Sequence, residues 1–121
     1  MKIISPLVHG VIDYLVVLFL LSAPMLFGMY DGLATCTYAL AGIHLVLTVL
    51  TNFNMGLIKT IPLPVHGFVE FAVGIVLVII ALTVLKDNVI GKTFYTAFGA
   101  AVLLVFFLSD YRQPVVTDPA L

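Results

Sequence analysis

Four long apolar runs, at residues 6–28, 33–51, 63–85 and about 92–109, take up most of this 121-residue chain. Each is close to the roughly 20 residues that a helix needs to cross a bilayer core of ~30 Å. In lipid a backbone must satisfy its own polar groups, which leaves helices and closed barrels. The runs lack the alternation of barrel strands. The chain is therefore expected to be all-α, a polytopic membrane protein with four transmembrane helices. Only 9% of its residues are charged, against about 25% in soluble domains. So few charges could not cover a soluble surface, and the mean hydropathy of +1.26 points the same way. One domain over residues 1–121 is expected.

The breaks between runs carry turn chemistry: "GMYDG" at 28–32, "TNFNMGLIKTIP" at 51–62 and "KDNVIGK" at 86–92. Ser5-Pro6 and Pro62-Leu63-Pro64 suit helix starts, because proline is tolerated in a first turn. Pro24 falls late in the first run and is expected to kink it or hasten its end. The N-terminal run follows Lys2, as a signal peptide would, but Asp13 interrupts it and no small-residue cleavage site follows. It is read as a retained helix.

The chain also aligns with itself. "VHGVIDY" at 8–14 returns as "VHGFVEF" at 65–71, a step of 57 residues. The match runs without a gap from Val8 to Leu47: Tyr38 meets Tyr95, Gly42 meets Gly99, and Asp13 meets Glu70 as a chemical equivalent. A one-residue slip then sets Thr51-Asn52-Phe53 opposite Ser109-Asp110-Tyr111. Chance likeness between greasy helices would match Leu and Val, not His-Gly-x-x-acid. Two duplicated helical hairpins are expected, at about 5–53 and about 62–111, forming a pseudo-two-fold bundle.

Depth gives the polar residues meaning. At ~1.5 Å per helical residue, His9 lies about 5 Å in and Asp13 about 10 Å in, while His66 lies about 3 Å and Glu70 about 9 Å in. His44, on the returning second span, lies about 12 Å below the same face. All three histidines and two carboxylates thus share one leaflet. Residues i and i+4 share a helix face, so His9 can touch Asp13 and His66 can touch Glu70. Ionisable side chains at such depth face a bundle interior or cavity. Thr37, Thr48 and Thr51 fall on one stripe of the second span. Gly10, Gly67, Gly42, Gly99 and the Ala97/Ala101 pair are expected to let helices pack closely.

Two functional readings follow. In the first, His9, Asp13, His66 and Glu70, helped by His44, bind a divalent transition metal such as zinc, iron or manganese, or relay protons. In the second, the His–acid pairs are structural, and the chain is a non-enzymatic accessory or scaffold subunit of a larger membrane assembly. Bis-histidine haem ligation by His9 and His66 would sit near the interface. The Glu-x-x-His pattern of di-iron bundles does not occur here. An enzyme is the third choice, because Ser5, Ser22 and Ser109 have no paired base that sequence identifies. The single Cys36 excludes an intramolecular disulfide and reads as a small hydrophobe. A net charge of −1 with no basic patch argues against nucleic acid.

"LFLLSAPMLFG" at 18–28 resembles the Ser-Pro-Trp segment of small bacterial integral membrane proteins that carry SPW repeats. A duplicated two-helix unit fits that family. Here an alanine separates Ser22 from Pro24, tryptophan is absent, and the second copy reads "IIALTVLK". The resemblance implies a bacterial inner-membrane protein and transfers no activity. Lys2, Lys59 and Arg112 against Lys86 and Lys92 place both termini in the cytoplasm. The lipid bilayer is the first partner, and association with further copies or another membrane protein is expected through the small-residue faces.

Overall fold

Helix ends fall where local chemistry sets them. In the computed structural model, which describes residues 2–112, Ser5 Oγ accepts the Val8 N–H at 3.3 Å and Pro6 opens α1 (Pro6–Leu26). Residue 1 and residues 113–121 of the expected domain lie outside the described residues. Pro24 occupies the last turn of α1. Beyond it Gly28 takes φ +65, and the Met29 N–H reaches back to the Pro24 carbonyl at 2.8 Å. That left-handed closure, which glycine adopts without strain, ends the helix.

Next come α2 (Asp31–Val49), a two-residue strand β1 (Thr51–Asn52), its parallel partner β2 (Ile61–Pro62), α3 (Leu63–Leu82) and α4 (Val89–Leu108). All four helices are long and apolar enough to cross a membrane, and the chain is an all-α integral membrane protein. One boundary differs from expectation. The segment 86–92 is not all turn, because Asn88 Oδ1 accepts the Gly91 N–H at 2.8 Å and starts α4 there. Lys92 therefore belongs to the helix.

The hairpins α1–α2 and α3–α4 are each packed on themselves. Short backbone clasps join them at one end. The Ile61 N–H donates to the Leu50 carbonyl at 2.7 Å, and the Ile4 N–H donates to the Leu108 carbonyl at 2.9 Å. Ile4 also bridges Ser109 in parallel, as Ile61 pairs with Thr51. The start of α3 is thus tied to the end of α2, and the start of α1 to the end of α4.

The opposite end is apolar, with Leu20, Ala23, Leu77, Ala81, Phe94 and Tyr95 in one buried cluster. Thr37 belongs to that end, 3.0 Å from the Tyr95 hydroxyl, not with Thr48 and Thr51 as the shared stripe implied. Between α3 and α4 the backbones approach at Gly74 and Gly99: a Cβ on Gly99 would sit 3.0 Å from the Gly74 carbonyl. Gly42 has open space beside it, so of the matched pair only Gly99 serves a helix contact.

Candidate metal centre

His9 and Asp13 project from the first turns of α1, and His66 and Glu70 from the first turns of α3. The clasped helix ends bring both pairs to the bundle axis, where all four residues are 5% exposed or less. His9 Nε2 lies 3.2 Å from Asp13 Oδ1 and 3.1 Å from Glu70 Oε2. His66 Nε2 lies 3.2 Å from Asp13 Oδ2 and 3.2 Å from Glu70 Oε1. Every imidazole therefore meets both carboxylates, one in its own helix and one across the bundle. The pairs do not close on themselves at the rim. Four ligand atoms, one from each residue, lie within 4.8 Å of one another.

The outer nitrogens are held alike. His9 Nδ1 is 2.7 Å from Ser109 Oγ, and His66 Nδ1 is 2.7 Å from Thr51 Oγ1. The Thr51 hydroxyl has one proton, which it donates to the Leu47 carbonyl at 2.6 Å. It must then accept from His66, so Nδ1 carries the imidazole proton. In the neutral ring, Nε2 is left as a lone pair facing two carboxylates. Although both oxygens are 3.2 Å away, this buried nitrogen has no hydrogen-bond partner among the described residues. Its contacts have the distances of hydrogen bonds without their direction.

The carboxylates are served differently. Glu70 Oε2 accepts the Tyr111 hydroxyl at 2.7 Å. Asp13 Oδ1 has His44 Nε2 at 3.4 Å, and Oδ2 has Thr48 Oγ1 at 3.4 Å, a hydroxyl whose nearer acceptor is the His44 carbonyl at 2.9 Å. His44 stands outside the mutual group of four and touches it only through Asp13. Its side chain is 15% exposed, the most open of the five.

Two aromatic rings cover the site on the side of the loops. Tyr111 stands edge-on to His9 with centroids 5.2 Å apart, and Phe53 lies 5.9 Å from His66. The glycines after the histidines make room for them. A Cβ on Gly67 would come within 2.7 Å of the Tyr111 ring, and one on Gly10 would meet the Met55 side chain first and then the Phe53 ring at 2.8 Å. These glycines therefore admit side chains from the α2–α3 connection and from the segment after α4, where a helix approach was expected. The Tyr14 hydroxyl pins the same loop by donating to the Met55 carbonyl at 2.7 Å. Burial and the adjoining Glu70 carboxylate push the Tyr111 phenol above its ordinary range.

Sequence reasoning named the four central residues and His44 but not Ser109, Tyr111 or Phe53 as their supports. The usable signal was the slipped match of Thr51-Asn52-Phe53 with Ser109-Asp110-Tyr111. Ser109 does have a histidine beside it, His9 Nδ1 at 2.7 Å, and is itself buried. It serves as an anchor for His9. No family model, curated protein or solved structure matches the chain.

Proposed function

We propose that this integral membrane protein binds a divalent transition metal through His9 Nε2, His66 Nε2, Asp13 and Glu70, with His44 and Thr48 steadying Asp13. The observation that carries the proposal is the buried, unpartnered Nε2 of His66, held in the tautomer that a metal ligand needs. A tetrahedral ion with bonds of about 2.0–2.1 Å spaces its ligand atoms roughly 3.3–3.4 Å apart. The imidazole–carboxylate contacts, at 3.1–3.2 Å, use both oxygens of each acid; one ligand atom from each residue gives a set within 4.8 Å, which an ion would draw inward.

Charge supports the same reading. Two carboxylates carry −2, two neutral imidazoles add nothing, and a divalent ion makes the set neutral. Uncompensated carboxylates at a helix centre cost about 2.5–3.5 kcal/mol each on the insertion scale. Nitrogen and oxygen donors together suit zinc, iron or manganese. The protein supplies fixed ligands and a dry surround; the ion supplies Lewis acidity or redox capacity.

The two hairpins are best understood as copies of one unit. His9–Ser109 and His66–Thr51 pair residues that correspond at steps of 57 and 58, as do the two backbone clasps. The basic residues at the site's end, Lys2, Lys59 and Arg112, support a cytoplasmic location for that end and both termini.

Elemental analysis of protein purified in detergent tests the metal. About one divalent ion per chain is expected, and none after joint replacement of His9 and His66 by alanine. A wild-type protein without metal, even after exposure to zinc, iron(II) and manganese(II), would overturn the proposal. The cluster would then be a structural clamp between α1 and α3, as in an accessory subunit.

A further inference from the structure

The four-helix ring has two seams between hairpins, and they differ. Where Ile43, His44 and Leu47 of α2 approach Val69 and Val73 of α3, the free space is a pocket of about 30 Å³ that Leu20 of α1 and Phe98 and Val102 of α4 also wall. Along the α1–α4 seam there is a cleft of about 570 Å³, lined by Phe19 and Phe27 on one side and by Ile90, Phe94, Ala97 and Ala101 on the other. Part of the cause can be read residue by residue. Where α2 carries His44, the corresponding position of α4 is Ala101, which leaves its space empty.

Phe98 and Ala101 also line a smaller cavity of about 60 Å³ whose other walls include Asp13, Glu70 and His44. These two side chains therefore stand between the apolar cleft and a space that reaches the carboxylates. From Val89 to Ala101 the cleft follows about 18 Å of α4. Thr93 is the one polar residue among the cleft's lining. On the loop side the site is shut: Phe53 and Leu63 are 2% and 1% exposed, and the rings of Phe53 and Tyr111 stand over the histidines.

A site closed toward the loops and reached along an apolar cleft selects its ligand from the membrane. Resting on the metal reading above, we infer that the α1–α4 cleft receives a single-chain lipid whose head presents a hydroxyl or carbonyl oxygen to the ion as a fifth ligand beside the four protein donors. The chain lies along Phe19, Phe94 and Ala97, and the head passes Phe98 and Ala101. The metal with its two carboxylates is already neutral, so an uncharged oxygen head adds no unbalanced charge at membrane depth. A cleft of this volume is within the range of about 300–1,000 Å³ typical of small-molecule sites.

The test uses full-length protein in lipid nanodiscs, loaded with cobalt(II) in place of the native ion. 1-Dodecanol and ethanol carry the same uncharged hydroxyl head on a long and a short chain. The long-chain probe should shift the visible cobalt bands at a concentration roughly tenfold or more below the short one. Ala101→Phe, and separately Ala97→Leu, should raise that concentration by about tenfold with cobalt content unchanged. Retained cobalt shows that each variant is folded.

Equal response to both probes, no response in cobalt-loaded protein, or a response unchanged by filling the cleft would each overturn the lipid ligand while leaving the metal intact. Failure to bind cobalt would overturn the metal reading and this inference with it. A second copy of the chain seated in the cleft would appear as an Ala101→Phe variant that loses its oligomer, and that outcome too counts against the lipid.

Discussion

The two halves of the site anchor their bases alike and hold their acids differently. His9 rests on Ser109 and His66 on Thr51, both at 2.7 Å, and each Nε2 meets both carboxylates. Glu70 has one close partner, the Tyr111 hydroxyl at 2.7 Å. Asp13 has two looser ones, His44 and Thr48, each at 3.4 Å. At the position of Tyr111 the first half carries Phe53, which has the ring without the hydroxyl. The comparison separates two jobs. The outer nitrogens are anchored alike in both halves, whereas the inner ones differ. His9 Nε2 is within hydrogen-bond distance of Glu70 Oε1 at 3.3 Å, and His66 Nε2 has no such partner among the described residues. The surroundings of the two carboxylates differ as well.

The strongest break removes what the halves share. His9→Ala with His66→Ala deletes both nitrogen donors, and bound metal should fall from about one ion per chain to none by mass spectrometry. Next come the acids. Both acids face both central histidines through both oxygens, but Asp13 alone also meets His44, so Asp13→Asn should weaken metal binding more than Glu70→Gln. Competition against a graded chelator series checks the order. The anchors follow: Thr51→Val and Ser109→Ala should each cost about 10–100-fold in metal affinity, as loss of such supporting partners does. Unequal losses would mean that the halves are less alike than their distances.

Smaller effects come from the unmatched ring. Tyr111→Phe makes the second half resemble the first and removes a hydrogen bond to a carboxylate, worth about 1.5–3 kcal/mol. The same variant carries a pH signature. The folded state holds the phenol protonated beyond its ordinary range, so the stabilisation is complete below the unfolded value near 10. It is lost as pH rises above that value, where only the unfolded chain releases the proton. Thermal unfolding should therefore show a steeper alkaline loss in wild type than in Tyr111→Phe. Gly67→Ala, which crowds the same ring, should cost about 1–3 kcal/mol, read in the same melting experiment.

Hydropathy alone made the four spans legible, because bilayer thickness leaves few alternatives for runs of that length. The His-x-x-x-acid spacing and its depth made the four central residues legible too. What sequence left hidden depends on how the hairpins meet. Ser109 is 100 residues from His9, and only the clasp at Ile4 brings it there. Gly10 and Gly67 looked like helix-packing residues because small residues usually are; the connecting segments claim their space instead. Thr37 shared a stripe with Thr48 and Thr51, but a stripe fixes a face and not a height. Ala97 and Ala101 were legible as small, and whether smallness makes a contact or a cleft is decided by the helix opposite.

The clasp between Ile4 and Ser109 also orders events during biosynthesis. A ribosome delivers His9 and Asp13 to the membrane long before the residues that complete their surroundings. While α1 and α2 are the only helices made, His66, Glu70, Ser109 and Tyr111 do not yet exist, and Asp13 has only His9, His44 and Thr48 for company. The cluster closes only when the end of α4 is made and Ser109 meets Ile4, so a chain truncated just before Ser109 would have its four spans but no anchor for His9.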